Sequence, residues 1–376
     1  MSKRFVVSIL LLLALAWAAA AQAVELTPEG RIFGEFTYNI SNYPDWDSRH
    51  GDNDLNQFQI NRAYLGLKAK FNDQWSARIT ADVARFDQLA PVYDDNGALV
   101  DVKSKKGPYM FFLKYAYGDY RPSDFFGLRF GMLQTAYIDA YDETFGYRYV
   151  IKSPSDLWGF DTSADLGAAA LGDLGGYGGY YLVVRNGEGY KSPESNKGKA
   201  IQARITLTPL PMSEATKGLQ LVAAYLYNNV QPSDPRLTTT VLNTLLSYKV
   251  MFNQDWGLRL GFGYDLMVAS TDAPGADNIT STIIHGFGAL QMPLGFGLFG
   301  RVDRFDPDTA NDKKTHGYRD EQTMVLGGVS YTPLPNLDFA FDYRRVMYTA
   351  HELDNQGNDV TQPADAFLGV QCQVRF

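Results

Sequence analysis

Four histidines, at positions 50, 285, 316 and 351, and a single cysteine, Cys372, are the whole stock of soft metal ligands and thiol nucleophiles in this chain. No two of the histidines stand at metal-motif spacing, and the sequence contains no Gly-x-Ser-x-Gly elbow, no phosphate-cradling glycine loop and no Cys-x-x-Cys-His. No enzyme, cofactor or resident metal is therefore expected. Two acidic stretches, Asp45, Asp47, Asp52 and Asp54, then Asp303, Asp306, Asp308 and Asp312, offer oxygen ligands but match no calcium loop. They read as solvated surface or as sites bridged to lipopolysaccharide. What remains with work to do is basic: Arg78, Lys114, Arg129, Arg204 and Arg259, with Arg301 and Arg344 further on. Their chemistry would be electrostatic, the attraction of anions.

Residues so far apart in sequence share a surface only if one sheet carries them all. After Val24 the chain has the period that requires. Trp75, Ala77, Ile79, Ala81 and Val83 alternate with Ser76, Arg78, Thr80 and Asp82; Trp256, Leu258, Leu260, Phe262, Tyr264 and Leu266 alternate with Gly257, Arg259, Gly261, Gly263 and Asp265. Ile201, Ala203, Ile205 and Leu207 oppose Gln202, Arg204 and Thr206 in the same way. Segments of about ten residues sorted for two solvents are the pattern of a transmembrane antiparallel β-barrel. Strands are predicted over residues 30–40, 57–71, 75–87, 109–118, 126–134, 163–172, 176–186, 199–208, 219–228, 239–250, 256–267, 281–292, 296–305, 322–332, 337–348 and 365–376, sixteen in all. In the second, Phe58 and Ile60 are out of phase with Ala63, Leu65, Leu67 and Ala69, which predicts a bulge near Arg62.

Connections supply a separate check, because a barrel alternates short periplasmic turns with longer outer loops. Asn72–Gln74, Tyr120–Asp124, Asp173–Gly175, Pro209–Gly218, Met251–Asp255, Pro293–Gly295 and Pro333–Asn336 are the short set; residues 41–56, 88–108, 135–162, 187–198, 229–238, 268–280, 306–321 and 349–364 are the long set. Closure is obligatory, since an unpaired backbone amide in hydrocarbon costs several kcal/mol. Trp75 and Trp256, each at a strand start after a short turn, fit an aromatic girdle at the membrane edge. Cys372 falls on the apolar phase of the last strand, as a small hydrophobe.

Composition agrees. Of 376 residues 45% are hydrophobic and 14% aromatic, too many for a disordered chain, and a lone cysteine excludes a disulfide scaffold. The one long apolar run, Phe5 to Ala21, follows Lys3 and Arg4 and ends in Ala21-Gln22-Ala23, so residues 1–23 are expected to be a signal peptide and 24–376 the barrel domain. Losing two positive charges and no acid leaves 32 basic against 42 acidic residues, a net charge of −10 that makes nucleic acid an unlikely partner.

On the strand phases, Arg78, Lys114, Arg129, Arg204 and Arg259 face the lumen about four to six residues from a short turn. One unit charge acts on an ion about 8 Å away in water with about 0.5 kcal/mol, so five sum to about 2 to 3 kcal/mol before salt screens them. That suffices for a preference. Asp82, Asp265, Asp303, Asp338 and Asp342 share the phase and would cancel part of the field.

Three segments carry a resemblance: Phe58-Gln-Ile-Asn-Arg62-Ala-Tyr-Leu65, Leu128-Arg-Phe-Gly131 before a long third loop, and Val184-Arg-Asn186-Gly187 closing the seventh strand. Together they resemble the phosphate-selective porin O and P family. The resemblance implies a sixteen-stranded, homotrimeric, anion-conducting outer-membrane channel, and the terminal Phe376 resembles the signal read by the barrel-assembly machinery. The chain has no lysine-dense ladder, so phosphate specificity is not implied. By analogy with general porins the third loop is expected to fold inward as a constriction, with Tyr137, Asp139, Tyr141, Asp142, Glu143, Arg148 and Lys152, beside Phe145, Tyr147, Tyr149 and Trp158. The expected function is passive diffusion of small hydrophilic solutes, with a possible lean to phosphate-like anions. A carbohydrate channel with an aromatic slide and a non-conducting scaffold or adhesin remain open alternatives.

Overall fold

The computed structural model describes residues 24–41, 56–93, 99–229, 237–271, 275, 277–310, 321–349 and 364–376, without the side chains of 86–93 and 99–106. The predicted signal peptide, His50, His316, His351, the first acidic loop and Asp312 lie outside the described residues. Sixteen strands form in sequence order: β1 (Glu25–Asn39), β2 (Asn56–Lys70), β3 (Trp75–Tyr93), β4 (Leu99–Tyr120), β5 (Gly127–Gln134), β6 (Ala164–Asp173), β7 (Gly178–Arg185), β8 (Ala200–Leu207), β9 (Leu219–Asn228), β10 (Leu237–Met251), β11 (Gly257–Thr271), β12 (Ile279–Gln291), β13 (Phe296–Asp306), β14 (Glu321–Leu334), β15 (Leu337–Thr349) and β16 (Asp365–Arg375). Each pairs antiparallel with its neighbours, and β1 pairs with β16, so the sheet closes and no edge remains.

Alternation sets which way each side chain points. Phe111 and Phe130 stand 72% exposed on the outside, with Ile79, Leu182, Leu246, Phe262 and Val302 around the same wall. Leaving such side chains in water forfeits about 1.5 to 3 kcal/mol apiece, so this exterior belongs in hydrocarbon. Inside, the interleaved positions are polar or packed: Asp82, Gln202, Asn243, Asp265, Arg301 and Asp342 are buried within the barrel.

The bulge expected near Arg62 is at Asn61. Phe33 pairs with Arg62 but Gly34 pairs with Ile60, so Asn61 is the extra residue and the β2 phase inverts there. A larger departure is the connection predicted at 88–108. There β3 and β4 run on as a paired ribbon to Tyr93 opposite Leu99, past the length a bilayer needs. Residues 86–93 show no period-two alternation and 101–106 are mostly charged or polar, which hid the ribbon, although the sequence between holds Asn96-Gly97, a strong hairpin dipeptide.

Two short turns are near copies. In Phe71-Asn-Asp-Gln-Trp75 the Asn72 carboxamide oxygen accepts from the backbone N–H of Gln74 (2.9 Å) and Trp75 (2.8 Å). In Phe252-Asn-Gln-Asp-Trp256 the Asn253 oxygen does the same for Asp255 (2.9 Å) and Trp256 (2.8 Å). Each turn is closed by the phenylalanine N–H on the tryptophan carbonyl, at 3.0 and 2.9 Å. The turns thereby hold Trp75 and Trp256 at equivalent ends of β3 and β11, and Trp75 stacks on Tyr120 with ring centroids 4.5 Å apart.

Candidate pore and constriction

Between β5 and β6 the third loop turns into the barrel. Its first leg is helix α1 (Ile138–Phe145), whose Ile138, Tyr141 and Phe145 repeat at helical spacing and are fully buried on one face. That face lies on the inner wall: Tyr141 meets His285 and Phe287 of β12 at 5.3 and 5.6 Å between centroids, and Phe145 meets Phe287 at 5.0 Å. Tyr137 donates to the Thr244 carbonyl at 3.2 Å, and Tyr147 stacks on Phe299 at 4.3 Å. Gly146, in the left-handed conformation (φ 80°), ends α1 with its N–H on the Asp142 carbonyl. The second leg, with the single helical turn α2 (Pro154–Leu157), is held by polar contacts. Ser155 donates to Asp265 (3.0 Å) and accepts from Asn243 (2.7 Å), while Trp158 donates to Asp303 (3.3 Å) and stacks on Phe305.

The basic residues singled out from the sequence divide into three kinds. Arg204, Arg301 and Arg344 hold the loop: they donate to the backbone carbonyls of Ala136 (2.8 Å), Lys152 and Val150 (3.2 Å). Arg301 also grips Asp303 with two nitrogens, and both side chains are fully buried. Arg78 and Arg129 are paired with acids, Arg78 with Glu29 and Arg129 with both oxygens of Asp119 at 2.7 and 2.8 Å. Lys114 and Arg259 make no ion pair among the described residues. Lys114 donates to the Tyr64 hydroxyl (3.2 Å) and lies over the Tyr64 ring. Of the acids on the lumen phase, Asp82 pairs with Arg62, Asp338 with Arg375 and Asp342 with Arg344, whereas Asp265 faces Ser155 and His285.

The other face of α1 looks across the lumen. Asp139, Asp142, Glu143 and Arg148 of the loop share a cavity of about 390 Å³ with Glu29, Arg31, Arg78 and Lys114, so the loop acids face the cations of the β1–β4 wall, one of which, Arg78, is already offset by Glu29. Arg148 lies 3.1 Å from Asp142 and 3.6 Å from Asp156, which Lys152 also reaches at 3.0 Å. Burial pushes the Asp142 carboxyl up to about 7 against the opposing pull of Arg148, and it raises Asp139 and Glu143 too. Asp156 goes the other way: burial would raise it, but Lys152 and Arg148 together outweigh that and hold it below the usual carboxylate range. A second cavity of about 350 Å³, on the side of the long loops, shares Phe33 and Arg148 with the first, so these two side chains stand between them.

Sequence reasoning missed Glu29, Arg31, Arg62, Tyr64 and Tyr115 on this wall. The signal was present in β1 and β2, but the inverted phase beyond Asn61 and a second register shift, which turns both Lys114 and Tyr115 inward, disguised it.

A closed sixteen-strand barrel with its third long loop seated inside is the outer-membrane porin type of fold. Solved structures agree on it. The anion-selective porin from Comamonas acidovorans aligns over 94% of this chain and 100% of its own with a TM-score of 0.61 at 9% identity. The outer membrane channel DcaP of Acinetobacter baumannii aligns over 95% and 98% with a TM-score of 0.62 at 13% identity, and the trimer form of OmpT of Vibrio cholerae over 94% and 100% with 0.59 at 11%. No family model matches the chain, and no curated protein matches it in sequence. The porin fold is thus shown, and the likeness to the phosphate-selective family rests on the three quoted segments alone.

Proposed function

We propose that this chain forms a passive, water-filled channel in the bacterial outer membrane, for small hydrophilic solutes and with a mild preference for anions. The observation that carries the reading is the pair of cavities to either side of Arg148, flanked by cations on the β1–β4 wall while the loop fills the opposite side. Arg31, Arg78, Lys114 and Arg148 beside these cavities act as a soft anion attractor, and Glu29, Asp139, Asp142 and Glu143 oppose them, so selectivity is a matter of degree. Residues 1–23 serve as the secretory leader, Phe376 as the mark read by the assembly machinery, and lipid and lipopolysaccharide cover the apolar wall. A homotrimer is the proposed assembly, in keeping with the trimer form of the Vibrio cholerae barrel.

A carbohydrate slide finds less support, because Tyr137, Tyr141 and Phe145 are buried against the wall instead of facing solute. The test is planar-bilayer recording on refolded protein. Stepwise, ohmic conductance with a reversal potential that favours chloride over potassium by a few-fold is expected. Negligible conductance would sink the channel reading, and saturable block by oligosaccharide without ion preference would replace it with the carbohydrate one.

A further inference from the structure

The barrel wall has a low stretch, and one side chain spans it. β4 runs for 22 residues and β5 for 8, and the two pair only from Ala116 opposite Met132 to Tyr120 opposite Leu128, so β4 outruns its neighbour towards the long-loop side. The fourth long loop, residues 187–198, reaches over this notch. The Tyr190 N–H donates to the Ala164 carbonyl at the start of β6 (3.0 Å), while its ring meets Phe112 of β4 edge-on, with centroids 6.4 Å apart. Its hydroxyl donates to Asp82 of β3 at 2.7 Å and accepts from Arg62 of β2 at 3.1 Å, and those two side chains are themselves an ion pair. Lys191, next along, lies over the Phe112 ring at 5.3 Å. A single tyrosine thus ties β6 to β2, β3 and β4 across the place a longer β5 would fill. The rest of the loop supports that reach. Gly187 donates to Asp165 at 2.7 Å, and one Glu188 oxygen accepts from the N–H and the hydroxyl of Ser195 at 3.2 and 3.1 Å. Gly189, at φ 81°, presses on Thr162, where a Cβ would come within 2.9 Å, so a side chain there would push the loop away.

Arg62 lines the cavity of about 350 Å³ on the long-loop side, together with Arg148 and Ala84. Tyr190 holds Arg62 and so acts on that cavity through it. We propose that Tyr190 is a positioning residue that sets how large a solute the outer end of the pore admits, by keeping the notch shut and holding Arg62 and Asp82 back against the wall. The third loop narrows the lumen from the β10–β13 side, and the notch borders the opposite, uncovered face, so its seal is the other half of one aperture. The residue type fits the task. Phenylalanine would pack on Phe112 but leave the Asp82–Arg62 pair, whose acid is fully buried, short of one donor and one acceptor. A shorter side chain would not reach β3 from the start of β6. This inference rests on the channel reading and adds to it the residue that limits size.

The experiment uses the full refolded chain in planar bilayers, with polyethylene glycols of graded size added to one side at a time. Tyr190→Ala is expected to raise the open-channel conductance and to admit larger polymers from the long-loop side, while the cutoff from the short-turn side stays at the parent's. Tyr190→Phe, which keeps the ring and loses both hydrogen bonds, should fall between the two. Gly189→Val forces the loop off Thr162 and should give the same one-sided change, which keeps the idea testable if Tyr190→Ala fails to fold. A second measurement needs no current. In a Cys372→Ala background, which removes the chain's only thiol, Ala84→Cys in the outer cavity should react several-fold faster with a bulky water-soluble maleimide once Tyr190→Ala is added. Unchanged cutoffs, a change equal from both sides, as a loosened barrel would give, or unchanged labelling would overturn the role of Tyr190. A parent without conductance whose labelling still accelerates loses the channel and keeps the seal; a conducting parent with no one-sided change keeps the channel and loses the seal.

Discussion

Arg148 holds Asp142 at 3.1 Å, and both belong to the loop that narrows the lumen. This ion pair forms at a position where burial has lifted the carboxyl to about 7, from an ordinary value of 3.8. The raised value means the folded chain favours the protonated acid. Its contribution to loop docking is complete below about pH 4 and is lost as pH rises through about 7. Above neutrality the lumen also gains a negative charge. Anion preference, read as reversal potential in a salt gradient, should therefore fall between pH 6 and pH 8, and Asp142→Asn should flatten that step. A preference that rises with pH, or a step unchanged in the variant, would contradict the assignment.

Arg301 is the deepest anchor of the loop. Replacing it with Met leaves Asp303 buried and uncompensated, and removing one partner of a buried pair costs about 3 to 5 kcal/mol. The loss should appear as local release of the loop: larger, noisier single-channel currents and earlier protease cleavage within 146–158, with the wall intact by circular dichroism. The double change Arg301→Met with Asp303→Leu should recover much of the loss. If the single variant keeps quiet parental currents, the anchor is not the control point.

The twin asparagine turns give a cleaner energetic test. Each Asn oxygen satisfies two turn N–H groups, so Asn72→Ala and Asn253→Ala should each cost about 1 kcal/mol. The turns join β2 to β3 and β10 to β11, far apart around the barrel, so the two costs should add. Urea unfolding from lipid vesicles measures both, and strong non-additivity would mean that the turns are coupled through assembly.

The closing seam is also accessible. Gly30 donates to the Phe376 carbonyl at 2.7 Å and accepts from its N–H at 3.1 Å, while the terminal ring covers the glycine where a Cβ would come within 2.4 Å of it. Gly30→Val should push the ring aside and slow folding into the heat-modifiable form on gels. Gly34→Ala, whose Cβ would meet only the Cys372 Cβ at an ordinary 4.0 Å, should not.

Strand number and phase were legible because lipid outside and water inside impose period two on every spanning segment. The slip at Arg62 could be read for the same reason, as the price of a single unpaired Asn61. The ribbon beyond Arg85 could not, since outside the bilayer nothing enforces alternation. Nor could the roles of the arginines: phase tells that Arg204, Arg259 and Arg301 point inward, but only the position of the loop decides that Arg204 and Arg301 bind its carbonyls while Arg259 remains unpaired. That position depends on partners more than a hundred residues away, such as Tyr137 on Thr244 and Tyr147 on Ser330, which no local pattern encodes. His285 shows the same limit. Its place in a strand was clear, yet its burial between Tyr141 and Asp265 follows only from where α1 settles.

Seating α1 against β10–β12 and Tyr147 against β13 divides labour along the polypeptide. Strands from the middle of the chain serve as a mooring, while the first four strands keep the cation-bearing face that the loop leaves uncovered. Under the proposed channel function, substitutions that alter the permeant could then accumulate in the first four strands without loosening the mooring, and a designer would begin there.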